Sequence, residues 1–375
     1  MTAPASRYDA LLLDLDGTVY LGGVVIPHVV EVLIEAAELG ARPMFVTNNA
    51  SRPPLDVAEA LSGMGIAADS SDILTSPEAA AAMLFDSHPA GSKVLIVGAK
   101  ALSDAVAAVG LIPVRLAGDG PVAVVQGHSP DTGWRDLAEA CIALRSGVDW
   151  VASNTDSTLP TDRGLLPGNG AMVQALTAAT GRLPRVAGKP NRPLLDEAVQ
   201  RSGSLRPLVV GDRLDTDIEA AVLAGMPSLL VLTGVSTAGD LLSATPARRP
   251  TFVSFDLRGL LDPERIVEIS TSNESATPEA GSGQAWSVES DGGDLVLIGA
   301  AADSVPGAGM GRDGDGGRDE SDGDAAALQA LALLAEKSWV TGITTVRAQG
   351  EAAEATLARL GLSTGADSDA VAPLH

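Results

Sequence analysis

Tyr8–Gly23 reads YDALLLDLDGTVYLGG. An apolar run of strand length ends in two aspartates, Asp14 and Asp16, followed by Gly17. Side chains alternate along a strand, so the two carboxylates are expected on the same side, with Gly17 turning the chain away. A run that is apolar throughout fits a strand covered on both faces, as in a parallel sheet dressed with helices. At the carboxyl edge of such a sheet, paired acids lie in the crevice where open α/β folds bind ligands. Aspartates also serve as ordinary turn residues, so the pair needs support from elsewhere in the chain.

Working outward, β-branched runs ending in polar residues recur in RPMFVTNN (42–49), KVLIVGAK (93–100), PVAVVQGH (121–128) and RPLVVGDR (206–213). Between them lie helical patterns such as PHVVEVLIEAAELG (27–40), PLDVAEALSGMG (54–65), TGWRDLAEACIALRSG (132–147) and DTDIEAAVLAGM (215–226). The alternation predicts an α/β fold with a doubly wound parallel sheet up to about residue 270.

Composition narrows the function. With 375 residues, 45% of them hydrophobic, the chain can bury more than one core. One cysteine, Cys141, excludes an internal disulfide framework, and four scattered histidines offer no zinc cluster. A net charge of −23 opposes a nucleic-acid partner, and 3% aromatic residues leave little to stack bases on. The start, MTAPASRYDA, lacks the pattern of a signal peptide, and no stretch of about 18 apolar residues appears. The expectation is a soluble cytoplasmic protein with no membrane span, for which a homo-oligomer is allowed.

The other strand ends supply what Asp14 and Asp16 lack. Thr47, Asn48 and Asn49 end one run; Asp212, Asp215 and Asp217 follow another; Lys189 stands in VAGKPN. A phosphoryl group needs cationic and hydrogen-bonding partners for its oxygens, which Thr47, the amides around Asn48 and Asn49, and Lys189 can provide. A carboxylate nucleophile approaching that anion needs a hard cation, and oxygens from Asp14, Asp16 (through its backbone) and Asp212 suit Mg²⁺. One aspartate can then attack phosphorus while its neighbour protonates the leaving alkoxide.

In this order, DLDGT, VTNN, GKP and GDRLDTD resemble the four motifs of the haloacid dehalogenase-like (HAD) phosphatase superfamily. Likeness to its class IIA branch, the NagD-like and phosphoglycolate or glycerol-phosphate phosphatases, extends through VASNTDSTLPTDRGLLPGNGAM and covers residues 8 to 262. The resemblance implies Asp14 as the nucleophile that becomes an aspartyl phosphate and Asp16 as general acid and then base. It implies Thr47 and Lys189 on the phosphoryl oxygens, Asp212 on Mg²⁺, and Asp217 in support. Glycerol phosphate is the first substrate choice and 2-phosphoglycolate the second. A phospho-ligand sensor or binding protein without turnover, acting through its tail, is the alternative.

Spacing sets the expected domains. Between Asp16 and Pro27 there is room only for a hairpin turning at Gly22–Gly23, whereas Thr47 and Lys189 are 142 positions apart, room for an inserted domain. The expected division is a catalytic core at 1–85 and 184–270, an inserted cap at 86–183, and an extension at 271–375. Cap loops holding His128, Asp131, Asn154, Asp156, Asp162 and Arg163 would choose the substrate. From Thr271 onward there are seventeen acidic and five basic residues, about half the net charge, with a Gly/Asp-rich loop at 303–326. Within the extension, VRAQGEA (346–352) resembles the Arg-x-x-Gly-x-Gly/Ala pyrophosphate loop of acetyltransferases, while GLSTG around Ser363 lacks the strand-to-helix setting of a nucleophile elbow.

Overall fold

The computed structural model describes residues 3–50, 52–161, 163–269, 286–299 and 316–362. Asp162, the extension's loop up to residue 315 and Ser363 lie outside them. Seven strands form the central sheet in the order Val267–Glu268, Phe252–Ser254, Ser228–Val231, Pro207–Gly211, Ala10–Leu13, Arg42–Thr47, Ile73–Thr75. All neighbours are parallel except the first pair. Register places Leu13 beside both Phe45 and Val210, so the carboxyl ends of three strands finish level with one another.

Alternation builds the two faces. Leu11, Leu13, Phe45, Leu208 and Val210 pack under the helices Val29–Glu38 and Pro54–Gly63. Ala10, Leu12, Met44, Val46 and Val209 pack under Ser76–Ser87 and Pro193–Ser202. Leu11, Leu12 and Leu13 are each at most 1% exposed, and burying such a side chain stabilises the fold by about 1.5–3 kcal/mol. The expected hairpin is present as Tyr20–Leu21 and Val24–Val25, with Gly22 and Gly23 both at positive φ, as a tight turn of this type requires.

A second sheet, parallel throughout, runs Arg185–Val186, Asp149–Ala152, Ala123–Gln126, Lys93–Val97, Ile112–Val114. Its inner residues Val94, Ile96, Val125 and Val151 join the core beneath Ser76–Ser87, and its outer face packs on Trp134–Arg145 and Asn169–Thr180. Arg185–Val186 lies just past the boundary expected at residue 183. It stays with this sheet because Ala187 and Gly188 donate to Ala152 and Ser153.

The extension adds a three-stranded sheet, Trp286–Asp291, Asp294–Gly299 and Val346–Gln349, with helices Gly316–Thr341 and Glu351–Arg359. The long helix begins inside the segment expected to be an unstructured loop. Leu295, Leu297, Leu328, Leu331 and Leu334 share one core with Leu214, Ile218, Leu241 and Val253 of the main body. The seam is closed by Ser338 Oγ donating to Leu242 O at 2.6 Å and Trp339 Nε1 to Leu241 O at 2.9 Å. In the segment that resembles an acetyltransferase loop, Arg347 is ion-paired with Asp291 and Asp294, and Glu351 and Glu354 occupy the first turn of the following helix.

Candidate functional site

The site sits where the level strand ends meet. Asp14 N donates to Val210 O at 2.9 Å, continuing the ladder one residue past Leu13. From there the chain curls: Thr18, Val19 and Tyr20 N–H groups all point at Leu15 O, at 3.3, 2.8 and 3.1 Å. Gly17, at φ 90°, makes this turn possible. The strand alternation expected to carry both acids inward therefore stops before Asp16. Asp14 is 15% exposed and faces inward, whereas Asp16 is exposed and its carboxylate stands apart from the inner cluster.

Lys189 brings that cluster together. Its ammonium, 3% exposed, lies 2.5 Å from Asp14 Oδ1, 2.6 Å from Asp217 Oδ1 and 3.0 Å from Val46 O. Its peptide bond to Pro190 is cis. Asp212 completes the group, accepting from Val235 N at 2.7 Å and Thr18 Oγ1 at 3.4 Å. A Cβ on Gly17 would stand 2.4 Å from Asp212 Oδ2, and one on Gly234 2.0 Å, so this carboxylate is wedged between two glycines. Thr233 Oγ1 donates to Gly17 O at 2.5 Å, tying the two sides together. Asp217 Oδ2 accepts from Arg213 N at 3.1 Å within the π-helical turn Leu214–Ile218, a geometry that concentrates at functional sites.

Electrostatics follow from three close carboxylates beside one ammonium, which pairs with Asp14 and Asp217. Burial raises Asp217 to about 6 against the pull of Lys189. Burial, reinforced by the Asp217 charge, raises Asp212 to about 6. Asp14 is pushed up by burial and by Asp212, and pulled down by Lys189. Burial alone would lower the Lys189 ammonium, but Asp14 and Asp217 hold it above its ordinary value. One oxygen from each of Asp14, Asp212 and Asp217 lies within 4.8 Å of the others. This surplus of negative oxygen donors fits a hard divalent cation. The trio adds Asp217 to the expected Asp14 and Asp212; the oxygen expected from Asp16 is a backbone one, and its side chain is exposed.

The remaining expected residues divide. Thr47, 8% exposed, accepts from Asn49 N at 3.1 Å and keeps its own hydroxyl proton to donate. Asn48 turns its side chain to the Lys189 backbone. Asp215 is drawn away by Arg213, which bridges it at 3.0 and 2.9 Å and holds its carboxyl below the usual range. From the inserted segment, Asn154 Nδ2 donates to Asn48 O at 2.8 Å, and Asp156 lies 3.4 Å from Asn48 Nδ2. His128, Asp131 and Arg163 make no described contact with the cluster. Sequence reasoning passed over Thr18 and the Thr233–Val235 turn, which carry no charge, and over Arg213, whose signal was its place between two acids of GDRLDTD.

Two family models match the chain, one for haloacid dehalogenase-like hydrolases over residues 11–112 and one for HAD-hydrolase-like proteins over 186–260. A D-glycerol 3-phosphate phosphatase from Mycobacterium tuberculosis is 50% identical over 297 residues, 79% of this chain and 80% of the relative. A 5'-nucleotidase from Bacillus subtilis is 36% identical over 61% of this chain and 89% of its own length. Among solved structures, a glycerol phosphate phosphatase from M. tuberculosis in complex with magnesium superposes with a TM-score of 0.81 at 43% identity, covering 97% of this chain and 100% of that one. A 4-nitrophenylphosphatase from Thermotoga maritima gives 0.63 at 32% identity, covering 68% and 97%. With its ordered motifs meeting at one sheet edge, this chain belongs to the haloacid dehalogenase-like hydrolases.

Proposed function

We propose that the chain is a Mg²⁺-dependent phosphomonoesterase that hydrolyses glycerol phosphate, with 2-phosphoglycolate the second candidate, through an aspartyl phosphate on Asp14. The observation that carries the reading is the ammonium of Lys189 held between Asp14 and Asp217 beside Asp212. Of these four side chains Asp14 is the one that reaches the mouth, at 15% exposure against 3% for Lys189 and 1% for Asp217. A nucleophile must be reachable while its supports stay fixed.

Asp14, Asp212 and Asp217 would hold Mg²⁺, with the Asp16 backbone as a further oxygen; bound there, the cation offsets the negative charge of the carboxylates and of the phosphoryl oxygens. In the first half-reaction an Asp14 oxygen forms a bond to phosphorus and the bond to the leaving alkoxide breaks, with Asp16 giving up its proton to that oxygen. In the second, Asp16 takes a proton from water, whose oxygen attacks the aspartyl phosphate and releases inorganic phosphate, restoring Asp14. Thr47 and Lys189 hold the phosphoryl oxygens as charge redistributes. Asp16, exposed at the rim, suits a group that must exchange protons with a leaving group and then with water.

The similarity to phosphatases favours turnover over the sensor alternative. The test is phosphate release from glycerol phosphate and 2-phosphoglycolate, with Mg²⁺ and with a chelator. Asp14→Asn is expected to abolish release while leaving thermal unfolding cooperative. Release at the wild-type rate from that variant would remove Asp14 as nucleophile.

A further inference from the structure

We propose that Asn48 is a positioning residue that sets the Lys189 ammonium in place, rather than a ligand of the phosphoryl group; this rests on the phosphatase reading of the site. The Asn48 carboxamide is used at both ends by one residue. Oδ1 accepts from Lys189 N at 2.8 Å, and Nδ2 donates to Lys189 O at 2.9 Å. The pairing fixes the amide's orientation, since an N–H faces one end and a carbonyl the other. Asn48 thus grips the Lys189 backbone much as a neighbouring strand would, although the two residues are 141 positions apart.

The surroundings hold Asn48 in turn. Its backbone carbonyl accepts from Asn154 Nδ2 at 2.8 Å and from Ser76 Oγ at 2.7 Å. Asn154 is fixed by Asn169 Nδ2, which donates to its carbonyl at 2.6 Å. Asp156 lies 3.4 and 3.5 Å from Asn48 Nδ2. Gly188 makes the approach possible, since a Cβ there would stand 2.6 Å from Asn48 Oδ1 and 2.6 Å from Ser153 O. The helix Ser76–Ser87 and the inserted segment therefore hold the Asn48 backbone carbonyl, while its carboxamide bonds the Lys189 backbone. From there the ammonium reaches Asp14, Asp217 and Val46 O, and a small displacement of its root would separate it from all three.

The experiment is a double-mutant cycle on Asn48→Ala and Lys189→Ala, read as kcat/KM on glycerol phosphate and as the Kd of inorganic phosphate in the presence of Mg²⁺. Asn48→Ala is expected to lower kcat/KM by about ten- to a hundredfold, the range in which misplacing a catalytic group costs rate. In the Lys189→Ala background the same change should cost less than about twofold, because a residue acting through Lys189 has nothing left to position. Losses that multiply fully across the cycle would overturn the proposal and make Asn48 an independent ligand. If Asn48→Ala does not fold, Asn48→Asp keeps the acceptor for Lys189 N, loses the donor to Lys189 O, and is judged by the same non-additivity. The phosphate Kd separates the two readings: non-additive phosphate binding without hydrolysis by the wild type would sink the phosphatase and keep the positioning role.

Discussion

Lys189→Met removes the ammonium while keeping a side chain of similar length in a site only 3% exposed. In the wild type that ammonium meets Asp14 at 2.5 Å and Asp217 at 2.6 Å. Deleting one member of a buried ion pair typically costs about 3–5 kcal/mol, because the partner charge is left uncompensated. A second bound exists here: a stranded carboxylate escapes by binding a proton, which costs about 1.4 kcal/mol per pH unit above its ordinary value of 3.8. For one carboxylate that ceiling is about 5 kcal/mol near pH 7.5 and about 2 kcal/mol near pH 5.5. The variant should therefore lose about 3–5 kcal/mol of metal-free stability near pH 7.5 and roughly half of that or less near pH 5.5. Urea unfolding at the two pH values measures both, and saturating Mg²⁺ should return part of the loss by supplying the missing positive charge. A loss below about 1 kcal/mol near neutrality, or an equal loss at both pH values, would refute the idea that Lys189 compensates Asp14 and Asp217.

Two further expectations concern the same acids. Asp212 and Asp217 are both raised to about 6, so the metal-free fold holds protons on them more tightly than the unfolded chain does. Their contribution to metal-free stability falls as pH rises from about 4 to 6, and a cation must displace those protons to bind. The rise in Tm on adding Mg²⁺ should therefore be larger near pH 7.5 than near pH 5, and a pH-independent shift would contradict it. Gly234→Ala places a methyl 2.0 Å from Asp212 Oδ2 in the static structure, so the carboxylate must move. Calorimetry should show Mg²⁺ affinity reduced by about ten- to a hundredfold, the usual cost of disturbing the support of a metal ligand; unchanged affinity would mean that Asp212 can shift without consequence.

Much of the fold was legible because it rests on local pattern. Continuous apolar runs marked the central strands, and glycines marked the hairpin at Gly22–Gly23. Within the extension the reading fell short: the helix Gly316–Thr341 starts in a Gly/Asp-rich segment whose composition alone argues against order. Its later residues Leu328, Leu331 and Leu334 are buried against Leu241 and Val253, and that packing outweighs weak local propensity.

At the site, chemistry-bearing residues at strand ends announced themselves by type and order: Asp14, Thr47, Lys189, Asp212 and Asp217. Their roles depended on geometry that no spacing encodes. Asp16 is exposed beside a turn in which three N–H groups fold back on Leu15 O, and Asn48 reaches Lys189 because Gly188 leaves room for its carboxamide. Sequence alone determined the α/β class and which residues could handle a phosphate, since periodicity and residue chemistry are local properties. Only the tertiary structure decided which carboxylates share the ammonium and what holds Lys189, because those depend on side-chain directions and close approaches between segments more than a hundred residues apart.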